Sequence, residues 1–352
     1  ADVDDGGHGT HVAGTVAAAR NGFGIGGVAP EATLVNLRAG QDSGYFFMYE
    51  TVAALVEAGN LSLDVVNMSF YTDPWLYNCA SADDYVTGTP TEAAIAEQSM
   101  VRSTVLAALD YAHGKGVTLV AAAGNGFTNL ALPERFDDSS PDYPEGAAVE
   151  RTVTDNCLDL PSEGPDVISV SSVGPSTTKS DFSNYGLGDV EVAAPGGWFR
   201  DGVGTPTFST PQNMVLSSYP LHVAIEEGLV DEAGVPVDDF SVQYCDRRDN
   251  CGVYTYLQGT SMASPHVAGV AALVTQAHGQ RRHGGYSLAP DTVRSIIERT
   301  ATDHACPAGG VEVYTDEGRP PEFNAVCEGT TAENGLYGEG IVSATAAVAR
   351  RR

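Results

Sequence analysis

The chain has 352 residues, 42% of them hydrophobic, and carries 46 Asp and Glu against 18 Lys and Arg, a formal net charge of −28 at pH 7. So acidic a surface repels nucleic acid and anionic membranes, because both partners are themselves negatively charged. No apolar run reaches the roughly 18 residues of a membrane span. The polar opening, residues 1–5, is not a signal peptide, so a leader would lie outside this chain.

Apolar runs alternate with helical patterns along the chain. In chain order they predict helix 8–19, strand 33–37, helix 49–58, strand 64–69, helix 104–113, strand 117–122, strand 167–173, helix 262–276 and helix 290–299. Helices between strands indicate crossovers onto a parallel sheet, and continuous apolar strands are typical of burial on both faces. The expected fold class is α/β with a mainly parallel central sheet.

Three stretches interrupt this alternation. Residues 71–103 and 127–166 are rich in Asp, Pro, Ser and Thr, and residues 198–256 carry a close cysteine pair. Connections this long are unusual in a compact domain, so we interpret them as loop insertions. With no internal repeat and no flexible linker, residues 1–352 are expected to form one domain.

The six cysteines indicate disulfides, because their number is even and no C-x-x-C pair indicates zinc. Disulfides imply an oxidising compartment. Nearness along the chain favours Cys245–Cys251 and Cys306–Cys327, which leaves Cys79–Cys157. Six buried free thiols are the alternative.

The segment HGTHVAGT at residues 8–15 opens the first helix with two histidines. A neutral imidazole near pH 7 is a natural base for a serine hydroxyl, although a lone His8 is more often structural. Zinc binding by His8 and His11 is a poor interpretation, because the H-E-x-x-H pattern is absent. We expect His11 to be structural, with its ring bonded to the backbone.

Asn125 follows the apolar strand 117–122 and a Gly. Its side-chain amide is then a donor at the carboxyl edge of the sheet, where open α/β sheets bind ligands. A plain Gly-Asn turn is the alternative.

The segment GTSMASPHVAG at residues 259–269 precedes and begins a good helical run. Pro265 is tolerated only in a first helical turn, so Ser261 lies at a helix N-terminus. Unpaired N–H groups and the positive dipole end favour negative charge there, as a serine attacking a carbonyl generates. The alternative role for Ser261 is a simple helix cap.

Together, residues 8–15, 121–126 and 259–269 resemble the subtilisin family of serine proteases, and they occur in the family's order. Further likeness lies in shorter segments at 27–30, 64–69 and 337–342. The resemblance implies a three-layer αβα fold and a serine endopeptidase acting on protein or peptide substrates. It also implies a monomer, secreted as actinobacterial members are, that needs no cofactor for its chemistry.

The resemblance assigns roles residue by residue. His8 is the general base and then the general acid, Ser261 is the nucleophile, and Asn125 joins the Ser261 N–H in an oxyanion hole. The walls of the first specificity pocket are expected at Ser69, Phe70, Tyr71, Ala122, Ala123 and Gly124. The edge that pairs with extended substrate is expected at Ser43, Gly44 and Tyr45.

Two departures from the family pattern stand out. The family's catalytic aspartate lies on a separate strand well before the histidine, whereas Asp4 and Asp5 are too close to His8 to belong to another strand. The resemblance therefore places the triad aspartate upstream of residue 1, leaves the sheet without its first strand or strands, and implies that this chain alone folds poorly and is weakly active. A non-catalytic, protease-like binding module or an inactive fragment is the alternative. The bulky Phe70 and Tyr71 leave the substrate preference open.

Residues 20–25 resemble a calcium-binding loop of the family, with Asn21 as one oxygen ligand. The carboxylate that completes such a site is also expected upstream, so a structural calcium ion is an expectation only. Residues 22–27 match G-x-G-x-x-G, but they follow a helix and precede a strand, the reverse of the dinucleotide-binding order.

Overall fold

The structure is a computed structural model and describes residues 3–282 and 285–349. The α-helices within these ranges are α1 His8–Ala17, α2 Met48–Leu61, α3 Glu92–Gly114, α4 Leu221–Glu226, α5 Thr260–His278, α6 Pro290–Thr300 and α7 Ala344–Val348. The strands are β1 Val65–Met68, β2 Tyr85–Thr87, β3 Thr118–Ala122, β4 Glu134–Asp137, β5 Arg151–Thr154, β6 Val167–Val173, β7 Val192–Pro195, β8 Val215–Tyr219, β9 Ser241–Cys245, β10 Cys251–Leu257, β11 Gln280–Arg282, β12 Gly285–Ser287, β13 Val311–Glu312 and β14 Ala325–Val326. None of the described helices is both long enough and apolar enough to span a membrane.

The central sheet is parallel throughout, in the order β1-β3-β6-β7. Every residue of β3 and of β6 is buried. Their continuous apolar sequences follow from this position, since both faces of a parallel sheet are covered by helices.

Successive residues of β3 belong to the two different cores of the molecule. Val120 packs with Val267 and Val274 of α5 on one face. Leu119 packs with Val105 of α3 on the other face. Because side chains alternate along a strand, this division produces the expected three-layer α/β/α arrangement.

Helix α3 begins at Glu92, so the predicted start at residue 104 is wrong. The hydroxyl of Thr91 accepts a hydrogen bond from the Ala94 N–H at 3.3 Å and caps the first turn. Buried Gln98 and Val101 continue the helical face upstream of residue 104. The interpretation of residues 71–103 as one loop insertion therefore includes the first part of a helix, although half of residues 92–103 are apolar.

The predicted strand 33–37 is also wrong, because residues 32–39 form no strand. Leu34 and Val35 are 52% and 46% exposed. In the described chain, β1 is an edge strand whose outer side has no partner. Residues 33–38 and β1 instead border one cavity of about 1710 Å³, called the cleft below. The part of the cleft between these two segments is called the groove. Because the groove separates residues 33–38 from β1, these residues have no neighbouring strand to hydrogen-bond with and cannot form a strand.

The insertions build small antiparallel sheets of their own. The sheet β2-β5-β4 is formed by the first two insertions, residues 71–103 and 127–166. The disulfide Cys79–Cys157 links these two insertions to each other. Residues 198–256 form the sheet β8-β10-β9, where Cys245–Cys251 links the paired ends of two strands. With Cys306–Cys327, all three expected disulfides are confirmed.

Candidate active site

His8 is the first residue of α1, and a nearby carboxylate holds the start of this helix. Asp4 accepts hydrogen bonds from the Gly7 N–H at 2.9 Å, the Thr10 N–H at 2.7 Å and the Thr10 hydroxyl at 2.6 Å. These groups are the unpaired donors of a helix N-terminus. Asp4 is thus a helix cap and makes no hydrogen bond to the His8 ring.

The His8 imidazole is half-buried and has no hydrogen-bond partner among the described residues. Burial lowers the pKa of His8, and the negative charge of Asp4 opposes this effect. The net shift favours the neutral ring near pH 7, which is the form that accepts a proton.

The Asn125 side chain is held in one orientation by Thr260. Its carboxamide oxygen accepts from the Thr260 N–H at 2.9 Å and from the Thr260 hydroxyl at 3.0 Å. The same hydroxyl accepts a hydrogen bond from the Gly124 N–H at 3.1 Å. Since the oxygen is occupied by these donors, the Asn125 NH₂ group stays available to a ligand.

Ser261 is the second residue of α5 and so lies at the expected helix N-terminus. The premise that Pro265 lies in the first turn is wrong, because Pro265 is the sixth residue of this helix. Its Oγ donates to the Ser69 carbonyl at 3.3 Å, and the Ser69 Oγ donates back to the Ser261 carbonyl at 2.9 Å. The Ser261 N–H has no acceptor in the described part of the chain. With the Asn125 NH₂, it offers two donors beside the Ser261 hydroxyl at the positive end of a 19-residue helix.

The three expected catalytic side chains, His8, Asn125 and Ser261, all line the cleft. Among the described residues no hydrogen bond joins the His8 ring to Ser261, whose hydroxyl donates to the Ser69 carbonyl. The expected substrate-binding residues that also line it are Ser43, Gly44, Tyr45, Ser69, Phe70, Tyr71, Ala122 and Gly124. Ala123 does not line it; this residue is fully buried and its N–H donates to the Val170 carbonyl at 3.1 Å.

The bulky residues after Ser69 are fixed in the cleft wall. The Phe70 ring stacks on Phe46 at a centroid distance of 4.2 Å. The Tyr71 hydroxyl donates to the Asp142 carboxylate. Ser43, Gly44 and Tyr45 form a turn closed by a 2.9 Å bond from the Gln41 N–H to the Tyr45 carbonyl.

Sequence reasoning missed Thr260 and Asp159. Thr260 adjoins the nucleophile, but only the folded chain shows that it orients Asn125. Asp159 is 2% exposed and lines the cleft. Its flanking Leu158 and Leu160 are the only sequence signal that this carboxylate is buried.

His11 has the structural role expected of it. Its Nε2 lies 3.1 Å from the Val215 carbonyl and 3.0 Å from the Thr255 carbonyl. Burial lowers the pKa of His11 to about 4, so the ring is neutral. It ties α1 to the sheet of the third insertion.

Residues 20–25, the expected calcium loop, do not by themselves fit a calcium site. They contain no carboxylate, and the Asn21 Oδ1 accepts a 3.3 Å hydrogen bond from the Phe23 N–H. In the described ranges, the one group of three His, Cys, Asp or Glu side chains spaced for a metal is elsewhere, at His113, Asp166 and Asp291.

Comparisons with known proteins identify the family of this chain. The model of the subtilase family, Peptidase S8, matches residues 1–338. Subtilisin DY of Bacillus licheniformis is 28% identical over 302 residues, 86% of this chain and 73% of the relative. M-protease of Shouchella clausii is 29% identical over 274 residues, 78% of this chain but only 46% of the relative.

Solved structures show the same fold. The crystal structure of a lanthipeptide protease aligns with a TM-score of 0.61 at 24% identity, over 97% of this chain and 75% of that one. A structure of proteases from Pseudoalteromonas arctica aligns with a TM-score of 0.55 at 28% identity, over 97% of this chain and 70% of that one. Sequence match and fold agree, and the chain belongs to the subtilase family, whose members are serine endopeptidases.

Proposed function

We propose that this chain is the catalytic domain of a secreted serine endopeptidase that cleaves peptide bonds through an acyl-enzyme. The Ser261 Oγ attacks the peptide carbonyl while the His8 imidazole accepts the hydroxyl proton. His8 then gives this proton to the leaving amine, and water releases the acyl group by the same steps in reverse. The Asn125 NH₂ and the Ser261 N–H stabilise the oxyanion.

The observation that carries this proposal is the paired orientation of Asn125 and Ser261. Thr260 holds the Asn125 oxygen through two donors, so the NH₂ group is positioned before substrate binds. A simple helix cap at Ser261 would not require a carboxamide fixed beside it. Preorganised donors of this kind are usually the largest single contribution to acyl-transfer catalysis.

We infer that a carboxylate orienting His8 would enter by way of the groove. One side of the groove is the unpaired edge of β1, and the other is the exposed apolar segment with Leu34 and Val35. A further parallel strand there would pair with β1 and cover apolar surface on both sides. A catalytic aspartate at the end of such a strand would complete the triad.

The compartment and partners follow from the chemistry of the surface. Three disulfides favour an oxidising, extracellular setting. The net charge of −28 disfavours nucleic acid and anionic membranes as partners. Protein or peptide substrates are bound by a monomer. A structural calcium ion at residues 20–25 needs ligands from elsewhere, and a calcium-dependent rise in melting temperature would support one.

A fluorophosphonate probe tests the proposed chemistry, because it labels only an activated serine. We expect the protein that includes the additional strand and its aspartate to be labelled and to hydrolyse casein, with both activities lost in Ser261→Ala and His8→Ala. Ser218→Ala changes a serine of β8, away from the proposed nucleophile, and is the control for nonspecific labelling.

The second candidate function is a non-catalytic binding module. It is favoured by the His8 ring, which has no carboxylate partner among the described residues. Under this alternative, peptides still bind in the cleft but Ser261 stays unlabelled in the intact protein. Such a result would overturn the endopeptidase proposal.

A further inference from the structure

Asp159 lies between the two segments that flank the nucleophile. On one side, the Thr72 N–H donates to the carbonyl of the neighbouring Leu160 at 2.7 Å, which pairs this loop with the chain that follows Ser69. On the other side, the Asp159 Oδ2 lies 3.4 Å from the position that a Cβ on Gly124 would occupy. Asp159 therefore forms the base of the part of the cleft whose walls are these two segments.

The Asp159 carboxylate has no cation of its own. The nearby guanidinium of Arg135 pairs with Glu163 at 2.6 Å and also donates to the Cys157 and Leu130 carbonyls. The Asp159 side chain accepts no hydrogen bond from any described residue, although its backbone N–H donates to Glu163 at 2.7 Å. Two carboxylates thus share one guanidinium, and the uncompensated one faces the cleft.

A buried carboxylate without a partner is costly, so its presence in the cleft points to a ligand that supplies the missing charge. Burial, followed by repulsion from Glu163, raises the pKa of Asp159 well above its usual range. An arriving cation would favour the ionised form and regain the lost pairing.

The shape of this part of the cleft indicates which cation fits. Its base becomes anionic when Asp159 ionises, and its walls are the backbone beside Gly124 and the aromatic residues Phe70 and Tyr71. A side chain with a long aliphatic part and a positively charged end matches both features. The aromatic walls would contact the aliphatic part, and the carboxylate would pair with the charged end. Asp73 and Asp142 add further acidic groups to the same cleft.

We propose that the pocket beside Ser261 takes the Arg or Lys side chain on the amino side of the scissile bond, with Asp159 as its counter-ion. This inference rests on the proposed function and names the substrate class of the same site. An oligopeptide with a neutral or acidic residue at that position would leave Asp159 buried and unpaired.

Matched peptides that differ only at this position test the inference. They carry Arg, Lys, Leu or citrulline, the last being an uncharged analogue of Arg. We expect kcat/KM for Arg to exceed that for citrulline by about 30-fold or more, since buried charge pairs discriminate on this scale. In Asp159→Asn, which keeps the side-chain shape, this ratio should fall to near one while cleavage after Leu is retained.

Asp155→Asn is the matched control. It removes the same charge from the same loop, but Asp155 is exposed and does not line the cleft. The Arg-to-citrulline ratio should stay at the wild-type value in this variant. Melting temperatures of both variants confirm that they are folded.

A binding measurement separates failure of this inference from failure of the proposed function. Calorimetry with Ser261→Ala compares the Arg and citrulline peptides without requiring catalysis. Tighter binding of the Arg peptide, lost when Asp159→Asn is added, supports the inference even if Ser261 is never labelled. Equal binding of both peptides, or cleavage after Leu at least as fast as after Arg in the wild type, overturns it while leaving the endopeptidase proposal intact.

Discussion

The carboxamide oxygen of Asn125 accepts two hydrogen bonds from Thr260, one from the backbone N–H at 2.9 Å and one from the hydroxyl at 3.0 Å. Thr260 is also the first residue of α5, and Ser261 follows it. The helix that carries the proposed nucleophile therefore also sets the orientation of the proposed oxyanion donor. This coupling fixes the geometry before substrate arrives, which is what electrostatic preorganisation requires.

Asn125→Ala should lower kcat by about 100- to 1,000-fold with little change in KM, a magnitude known from a relative in the same family. The reason is that the lost NH₂ group acts on the oxyanion, which exists only in the transition state. Steady-state kinetics on one peptide measures this effect. Asn60→Ala, an exposed change on α2, should leave both constants unaltered. A rise in KM with unchanged kcat would instead make Asn125 a ground-state binding residue.

Thr260→Val should lower kcat by about 5- to 30-fold, less than the loss of Asn125 itself. Valine keeps the backbone N–H bond to Asn125 but removes the hydroxyl bond, so the carboxamide gains freedom. It also leaves the Gly124 N–H without its acceptor. Thr300→Val, which removes a hydroxyl bonded to its own helix α6, is the control for a general loss of stability. Equal kcat values for Thr260→Val and wild type would contradict the positioning role.

The buried His11 should make the protein less stable as the pH falls from about 7.5 to 5. The pKa of His11 is about 4 in the folded state, against about 6.5 in the unfolded chain. As the pH falls, the His11 ring therefore takes up a proton in the unfolded chain at a higher pH than in the folded protein. The contribution of His11 to the free energy of unfolding is complete above about pH 6.5 and is lost as the pH falls towards 4. Over the stated range the loss is about 2 kcal/mol.

Urea unfolding at a series of pH values measures this contribution of His11. His11→Gln, which keeps a donor but cannot titrate, should flatten the pH dependence of the unfolding free energy. The exposed His222→Gln should not change it. An unchanged slope in His11→Gln would assign the acid sensitivity to other groups.

Removing the Cys79–Cys157 disulfide should destabilise the protein more than removing Cys245–Cys251. The two bonds close separations of 78 and 6 residues, so the chain-entropy model gives about 4 to 5 and about 2 kcal/mol. Paired Cys→Ala variants, compared by urea unfolding, measure the difference. A larger loss for the Cys245–Cys251 pair would reverse the expected order and refute the loop-length argument for this fold.

The sequence predicted the buried elements well because burial leaves a pattern in the residues themselves. The continuous apolar runs 117–122 and 167–173 correspond to β3 and β6 within one residue. The segment 33–37 has the same apolar character but forms no strand, since strand formation depends on a neighbour that local sequence does not specify.

The candidate site was predictable only in part. His8, Asn125 and Ser261 lie in motifs long enough to resemble a family, and the fold brings them to one cleft. Asp159 lies in a loop that composition identified only as an insertion. Its significance depends on Gly124, Arg135 and Glu163, which are distant or unremarkable in sequence and meet it only in the folded chain.

The position of the Cys79–Cys157 disulfide has a consequence for how this enzyme can diversify. Cys157 lies two residues before Asp159. The carboxylate proposed to select the substrate therefore belongs to an insertion that a disulfide bond holds in place. His8 and Ser261 instead begin helices, and α5 packs directly on the parallel sheet. Substrate selection and bond cleavage thus depend on separate parts of the molecule. Exchange of this disulfide-linked insertion alone would change the substrate specificity and leave the catalytic residues unchanged.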